Sequence, residues 1–256
     1  MNVLDKLFSE RKNNVLNIYC TAGFPKLEST AEVMLSLQDA GADIIELGIP
    51  YSDPVADGPV IQQSNMQALQ NGITLEKIFE QLSEIKKRLH IPVILMGYIN
   101  PVLQFGVENF CIRAAACGVS GIILPDLPMY EYEKYYADIF KRNGLKCIFL
   151  ISPSTDKKRI KKADELSGGF LYAVSSSATT GNNNTFKDKL QYFKMLASTK
   201  FKNPVLIGFG IKDKTGFDEA CKYAAGGIIG SAFINHISKA NDVQAAVKEF
   251  VQTIRG

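Results

Sequence analysis

Val15-Leu16-Asn17-Ile18-Tyr19-Cys20-Thr21-Ala22-Gly23-Phe24-Pro25 is the stretch on which the fold turns. Residues 15–21 are mostly aliphatic, aromatic and β-branched, the composition of a strand, and 22–25 carry the glycine and proline of a turn. In an open, doubly wound sheet that holds a dinucleotide, G-x-G-x-x-G follows the first strand, because glycine lets the backbone approach the pyrophosphate. Here Gly23 stands alone and that reading fails. Outward from this strand the same unit repeats. Short aliphatic runs at 15–21, 44–48, 93–96, 121–124, 146–151, 170–174, 205–207 and 227–229 alternate with longer amphipathic segments. Among the latter are 29–40, 75–89, 130–142, 187–198 and 243–253, with apolar residues every three or four positions. Alternating units of this kind predict an α/β fold with a parallel sheet. Eight of them in 256 residues, close to the roughly 250 typical of the architecture, predict a (β/α)8 TIM barrel. No linker or low-complexity tract divides the chain, so 1–256 is expected to be a single barrel domain. Leu4, Leu7 and Phe8 predict an N-terminal helix that plugs the barrel bottom. The polar run 179–185 predicts a loop after the sixth strand.

Composition excludes several classes of function. With 29 basic and 26 acidic residues the net charge is +3, too small a field to attract nucleic acid. The basic clusters at 86–88 and at Lys157, Lys158, Arg159, Lys161 and Lys162 have helical spacing and read as solvated faces. Cys20, Cys111, Cys117, Cys147 and Cys221 are odd in number, scattered and without a C-x-x-C pair, which predicts buried, reduced thiols in a cytoplasmic protein. The first residues lack a basic segment leading into an apolar core, and no run approaches the ~18 apolar residues of a membrane span. Neither export nor a membrane is expected. His90 and His236 have no ligand spacing, so no metal is expected. The lysines fall mostly in helices and loops, and Lys146 begins the fifth strand, the wrong end for a Schiff base.

Catalytic groups of a parallel barrel come from the carboxyl ends of its strands and the loops beyond them. The second strand end stands out, because Glu46 lies between Ile45 and Leu47 in an apolar run. Pointing into the barrel, that carboxyl would be desolvated, its pKa raised and its proton exchangeable near neutral pH. On this observation alone, a structural carboxylate satisfied by backbone or a hydroxyl is the other reading. The next loop adds Asp53 and Asp57, stiffened by Pro50, Pro54 and Pro59. At the seventh and eighth strand ends, Gly208-Phe209-Gly210-Ile211 and Gly230-Ser231-Ala232 occupy the loops that often hold phosphate in barrels, so a phosphorylated ligand is favoured.

Residues 46–62, Glu46-Leu-Gly-Ile-Pro-Tyr-Ser-Asp-Pro-Val-Ala-Asp57-Gly-Pro-Val-Ile-Gln62, closely resemble the signature of the tryptophan synthase α subunit family. Agreement continues at 19–25, at Met96-Gly-Tyr-Ile-Asn-Pro101, at Pro125-Asp-Leu-Pro128 and at the two glycine-rich ends. The resemblance implies a lyase of tryptophan biosynthesis that splits indole-3-glycerol phosphate by a retro-aldol reaction into indole and glyceraldehyde 3-phosphate. By the same resemblance Glu46 is the general acid and base, and Asp57 accepts the indole N–H. Tyr172 and Thr180 support Asp57, while Gly181, Gly210, Gly230 and Ser231 hold the phosphate. Tyr19, Met96 and Leu124 are candidate walls for the indole. The implied partner is a β subunit in an α2β2 complex, met by Asp53. Pyridoxal phosphate is expected only in that partner, and no cofactor in this chain. Asn182, Asn183 and Asn184 depart from the family, which often has a basic residue there, and Tyr51 stands where phenylalanine is common. The rival functions are a silent regulatory subunit of a β chain and another phosphosugar barrel enzyme.

Overall fold

The computed structural model describes residues 2–174, 186–208 and 210–256. Its strands are β1 (Val15–Thr21), β2 (Ile44–Gly48), β3 (Val93–Met96), β4 (Val119–Ile123), β5 (Lys146–Cys147), β6 (Leu150–Ile151), β7 (Leu171–Val174), β8 (Val205–Gly208) and β9 (Gly226–Ile229). Strands β1 to β4, β8 and β9 are buried at every residue, as parallel strands wrapped by helices must be. Among the described residues the nine segments form one parallel sheet in the order β5-β4-β3-β2-β1-β9-β8-β7-β6. Its two edges are neighbours in sequence. Ile148 donates its N–H to Ile122 O at 3.0 Å, and Phe149 O accepts from Tyr172 N–H at 3.1 Å, so the segment between β5 and β6 ties the edges together. The sheet is thus the expected barrel, with its fifth position split in two. The expected continuous run at 146–151 breaks because Phe149 gives its N–H to the Ser167 hydroxyl (3.0 Å) instead of to a neighbouring strand.

Around the barrel run helices close to those expected, including Ser29–Ala40 and Val243–Arg255. The segment expected at 75–89 is helical over Leu75–Ile85, with Thr74 capping its start. The segment expected at 130–142 is a composite of Met129–Glu131, a π-turn over Tyr132–Tyr136 and Ala137–Arg142. Tyr132, inside that turn, is buried with its ring 5.3 Å from those of Phe140 and Phe149.

The bottom of the barrel, at the amino ends of the strands, is closed by a helix at Val3–Glu10. Leu4 and Phe8, four apart on one face, are buried, and the Phe8 ring lies 6.1 Å from Phe170. Burial of two such side chains contributes roughly 1.5–3 kcal/mol each. Gly169, at φ +85°, leaves the socket into which Leu4 fits, since any Cβ there would strike the leucine. Asn2 caps the helix by accepting the Leu4 N–H, and its amide donates to Ser120 O and Gly144 O, all at 2.9 Å. A second fastening is Asp43, which accepts the Leu16 N–H at 2.8 Å and pairs with Arg11 at 2.7 Å and Arg255 at 2.5 Å. These contacts leave the opposite end of the barrel open. No helix among the described residues is long and apolar enough to cross a membrane.

Candidate active site

Side chains alternate across a strand, so Ile44, Glu46 and Gly48 share one face of β2, and Asn17, Tyr19 and Thr21 one face of β1. The register sets Tyr19 beside Glu46. At the carboxyl ends of the strands a cavity of about 480 Å³ opens onto that face. Strand residues Tyr19, Glu46, Met96, Tyr172 and Ile228 form its floor and walls. Asp57, Gly58, Gly210, Lys212, Gly230 and Ser231 contribute from the loops. Two glycines create the room. A Cβ at Gly48 would collide with the Tyr19 ring and hydroxyl, and one at Gly208 with the Tyr172 ring. Gly210 is in the left-handed region at φ +81°, a conformation that favours glycine.

Glu46 is 1% exposed, and among the described residues no ion pair reaches it. Burial pushes its carboxyl up to about 8; the hydrogen bond from Asn17 Nδ2, 2.9 Å from Oε2, pulls it down in part, and the charge of Asp57 adds to the rise. Asp57, partly buried, is also raised by desolvation but is held back by the Tyr98 hydroxyl and the Asn65 amide, the latter 3.3 Å from Oδ2. Both Tyr19 and Tyr172 are pushed well above the usual phenol range, by burial first and by the two acids next, so they stay protonated. The cavity therefore joins one carboxyl that exchanges its proton near neutral pH to a second that is better solvated and hydrogen-bonded.

The family model described as tryptophan synthase alpha chain matches residues 5–255. The chain belongs to the tryptophan synthase α chain family. It is 47% identical over 240 residues to the tryptophan synthase alpha chain of Christiangramia forsetii, covering 93% of each chain. It is 45% identical over 256 residues to that of Flavobacterium johnsoniae, covering 100% of both. Among solved structures it resembles the tryptophan synthase α subunit of Legionella pneumophila, with TM-score 0.88, 34% identity and coverage of 100% and 97%. It also resembles a chain of the α2β2 tryptophan synthase complex of Pyrococcus furiosus, with TM-score 0.86, 35% identity and coverage of 96% and 99%.

Of the residues that resemblance to tryptophan synthase α chains singled out, Glu46, Asp57, Tyr172, Gly210, Gly230 and Ser231 line the one cavity. Thr180 and Gly181 lie outside the described residues, as do the three asparagines that follow. Asp53 is exposed on the loop beyond β2, its carboxylate accepting the Ser52 hydroxyl at 2.5 Å, with Val55 70% exposed nearby. Tyr19 and Met96 are cavity walls, whereas Leu124 lines a neighbouring pocket of about 270 Å³ with Asp126 and Phe149. The hydroxyl of Tyr51 accepts the Asn100 amide at 3.2 Å, and its ring lies 5.4 Å from that of Tyr98. Tyr98 in turn accepts the Ala56 N–H at 3.0 Å, so these rings fasten the loop that carries Asp57. Reading strand ends missed Asn17, Asn65, Tyr98 and Lys212. Asn17 carried the signal that exposed Glu46, a polar residue in an apolar strand; the other three sit on helices or loops whose approach to the cavity no local pattern marks.

Proposed function

We propose that this cavity is where the chain, a lyase of tryptophan biosynthesis, cleaves indole-3-glycerol phosphate, with Glu46 moving the protons and Asp57 stabilising the indole. In the retro-aldol step C3 of the indole gains a proton, the bond from C3 to the glycerol carbon breaks, and the hydroxyl on that carbon loses its proton. Indole and glyceraldehyde 3-phosphate result. One observation supports the assignment above the others: Glu46 is fully buried at the cavity floor, paired with no cation among the described residues, and lifted to about 8. A group with that value is present in both protonation states near neutral pH, the condition for serving as acid and as base. Protonation at C3 makes the indole N–H more acidic. A carboxylate accepting it, the role given to Asp57, binds the transition state more tightly than the substrate.

A volume of about 480 Å³ suits a ligand of this size. Tyr19, Met96, Ile61 and Ile228 offer apolar surface to the indole, and Gly210, Gly230, Ser231 and Lys212 a polar end to the phosphate. The family resemblance assigns Gly181 to the phosphate and Thr180 to Asp57, both outside the described residues, and Tyr172 lines the cavity with the two acids. The chain itself uses no metal or organic cofactor in this scheme. Pyridoxal phosphate belongs to the β subunit that takes the indole on, in an α2β2 complex such as that of the Pyrococcus furiosus relative, and exposed Asp53 faces that subunit. Five unpaired thiols support a reducing, cytoplasmic setting.

Indole release from indole-3-glycerol phosphate, with and without added β subunit, tests the reading. Glu46→Gln is expected to lower kcat by about 10²–10⁴-fold, the usual worth of a positioned acid–base group. A wild-type chain that releases no indole yet still accelerates the β reaction would overturn it in favour of a regulatory subunit.

A further inference from the structure

Asn17 lies in the middle of β1, fully buried, with its side chain inside the barrel. Its in-register neighbour is Ile44, so its amide occupies the layer of the barrel just beneath Glu46 and Tyr19. Nδ2 donates to Glu46 Oε2 at 2.9 Å. Among the described residues that is the only hydrogen bond of the Asn17 side chain, and Oδ1 is buried with no partner at all. A buried amide oxygen left unpaired is costly and uncommon, and calls for a physical reason.

The reason lies in what Glu46 does. Resting on the reading that Glu46 gives and takes a proton, we propose that Asn17 is its positioning residue in both protonation states. Its amide donates Nδ2–H to the carboxylate, then turns over to accept the O–H of the carboxylic acid on Oδ1. An amide does not titrate, and it offers a donor and an acceptor of equal reach on a single planar group. A cation at this place would lock Glu46 as the carboxylate; an apolar side chain would strand it as the acid. Among the described residues no other hydrogen bond holds either end of the amide, so turning it over about its last bond breaks only the one to Glu46. The orphan oxygen is the acceptor that stands idle whenever Glu46 is ionised. The other titratable groups facing Glu46 do not compensate for Asn17. Tyr19 and Cys20 on β1, Tyr172 on β7 and Asp57 from the loop are neutral or acidic, and none is a cation.

Side-chain NMR of the full chain tests this directly. The Asn17 amide nitrogen and the Glu46 carboxyl carbon are followed across a pH titration, and both are expected to move with one midpoint. Glu46→Gln should abolish the transition seen at Asn17. Asn17→Leu removes the donor to the ionised form and should raise the Glu46 midpoint by about one pH unit. The kcat profile should move with it while KM stays within about twofold, and Asn17→Ser, whose hydroxyl both donates and accepts, should recover part of the shift. An Asn17 amide that stays still while Glu46 titrates overturns the proposal, as does an unchanged midpoint in Asn17→Leu. If the leucine variant does not fold, the wild-type pair of resonances decides. Failure of the catalytic reading looks different: Glu46→Gln would go on releasing indole while the two wild-type midpoints still coincided.

Discussion

Two acids stand three residues apart at β2, and the barrel handles them in opposite ways. Asp43, at the amino end, is 8% exposed and saturated with partners: a backbone N–H from β1 and the guanidinium groups of Arg11 and Arg255. Glu46, nearer the carboxyl end, is 1% exposed and faces a second acid, two phenols and one amide. The first arrangement joins the chain's beginning, its second strand and its last helix, which places Asp43 in the stability of the fold. The second leaves a desolvated carboxyl without a countercharge, a local cost that persists only because the surrounding barrel is rigid. Division of labour between the two ends of a parallel barrel is thus visible within four residues, in which carboxylate has a countercharge among the described residues and which does not.

Removing the satisfied acid should give the larger effect on stability. Asp43→Ala strands two guanidinium groups and a buried N–H, and is expected to cost about 2–4 kcal/mol, less than a fully buried pair because both arginines are partly exposed. Urea unfolding reads this as a lowered midpoint, and the molecules that remain folded should cleave substrate within about twofold of the wild-type rate. If stability is unchanged while cleavage collapses, the contrast between the two ends is wrong.

Removing the unsatisfied acid should do the reverse. Glu46 is lifted from 4.5 to about 8 in the folded chain, so between those values the folded state keeps a proton that the unfolded state has lost. Stability that is intact below pH 4.5 therefore drains away as pH rises towards 8 and levels off beyond it. Glu46→Gln has no such dependence and should be the more stable protein above pH 8, by about 1–3 kcal/mol once the buried polar cost of the glutamine is allowed for. Near pH 4.5, where Glu46 is protonated and only that polar cost remains, the variant should unfold at the lower urea concentration. Parallel stability profiles for the two proteins across this range would mean that Glu46 is not desolvated as described.

How much of this was legible in the sequence depends on the range of the interaction. Strands at Val15–Thr21, Ile44–Gly48 and Val93–Met96 follow from apolar composition and turn residues alone, because burial on both faces leaves a continuous apolar run. Glu46 is legible for the same reason, as an interruption of such a run. The break at 148–149 is not, since it depends on a hydroxyl from Ser167 that is local only in space. Nor is the clasp on Asp43, whose partner Arg255 lies 212 residues away. Asn17 interrupts its strand as Glu46 does, but an amide carries no charge to demand an explanation. For Thr180 and Gly181 only resemblance speaks, because they lie outside the described residues.

A pair of lysines repeats the contrast between the ends and yields the smallest effect. Lys146, at the bottom, is tied to Asp5 of the N-terminal helix at 2.8 Å. Lys212, at the cavity mouth two residues beyond Gly210, is exposed and has no ion pair among the described residues. The other residues proposed to hold the phosphate, Gly210, Gly230 and Ser231, are neutral, so among the described residues lining the cavity Lys212 is the one positive charge. An exposed cation acts across water, and its attraction for a phosphate dianion is worth only about 0.3–1 kcal/mol. Lys212→Gln is accordingly expected to raise KM about two- to fivefold at low ionic strength with little change in kcat. Because the Debye length shrinks to about 3 Å at 1 M salt, the difference between variant and wild type should fade as salt is added. A KM that is unaffected at low salt would assign the whole grip on the phosphate to backbone amides and Ser231, leaving Lys212 a solvated side chain with no counterpart to the fastening role of Lys146.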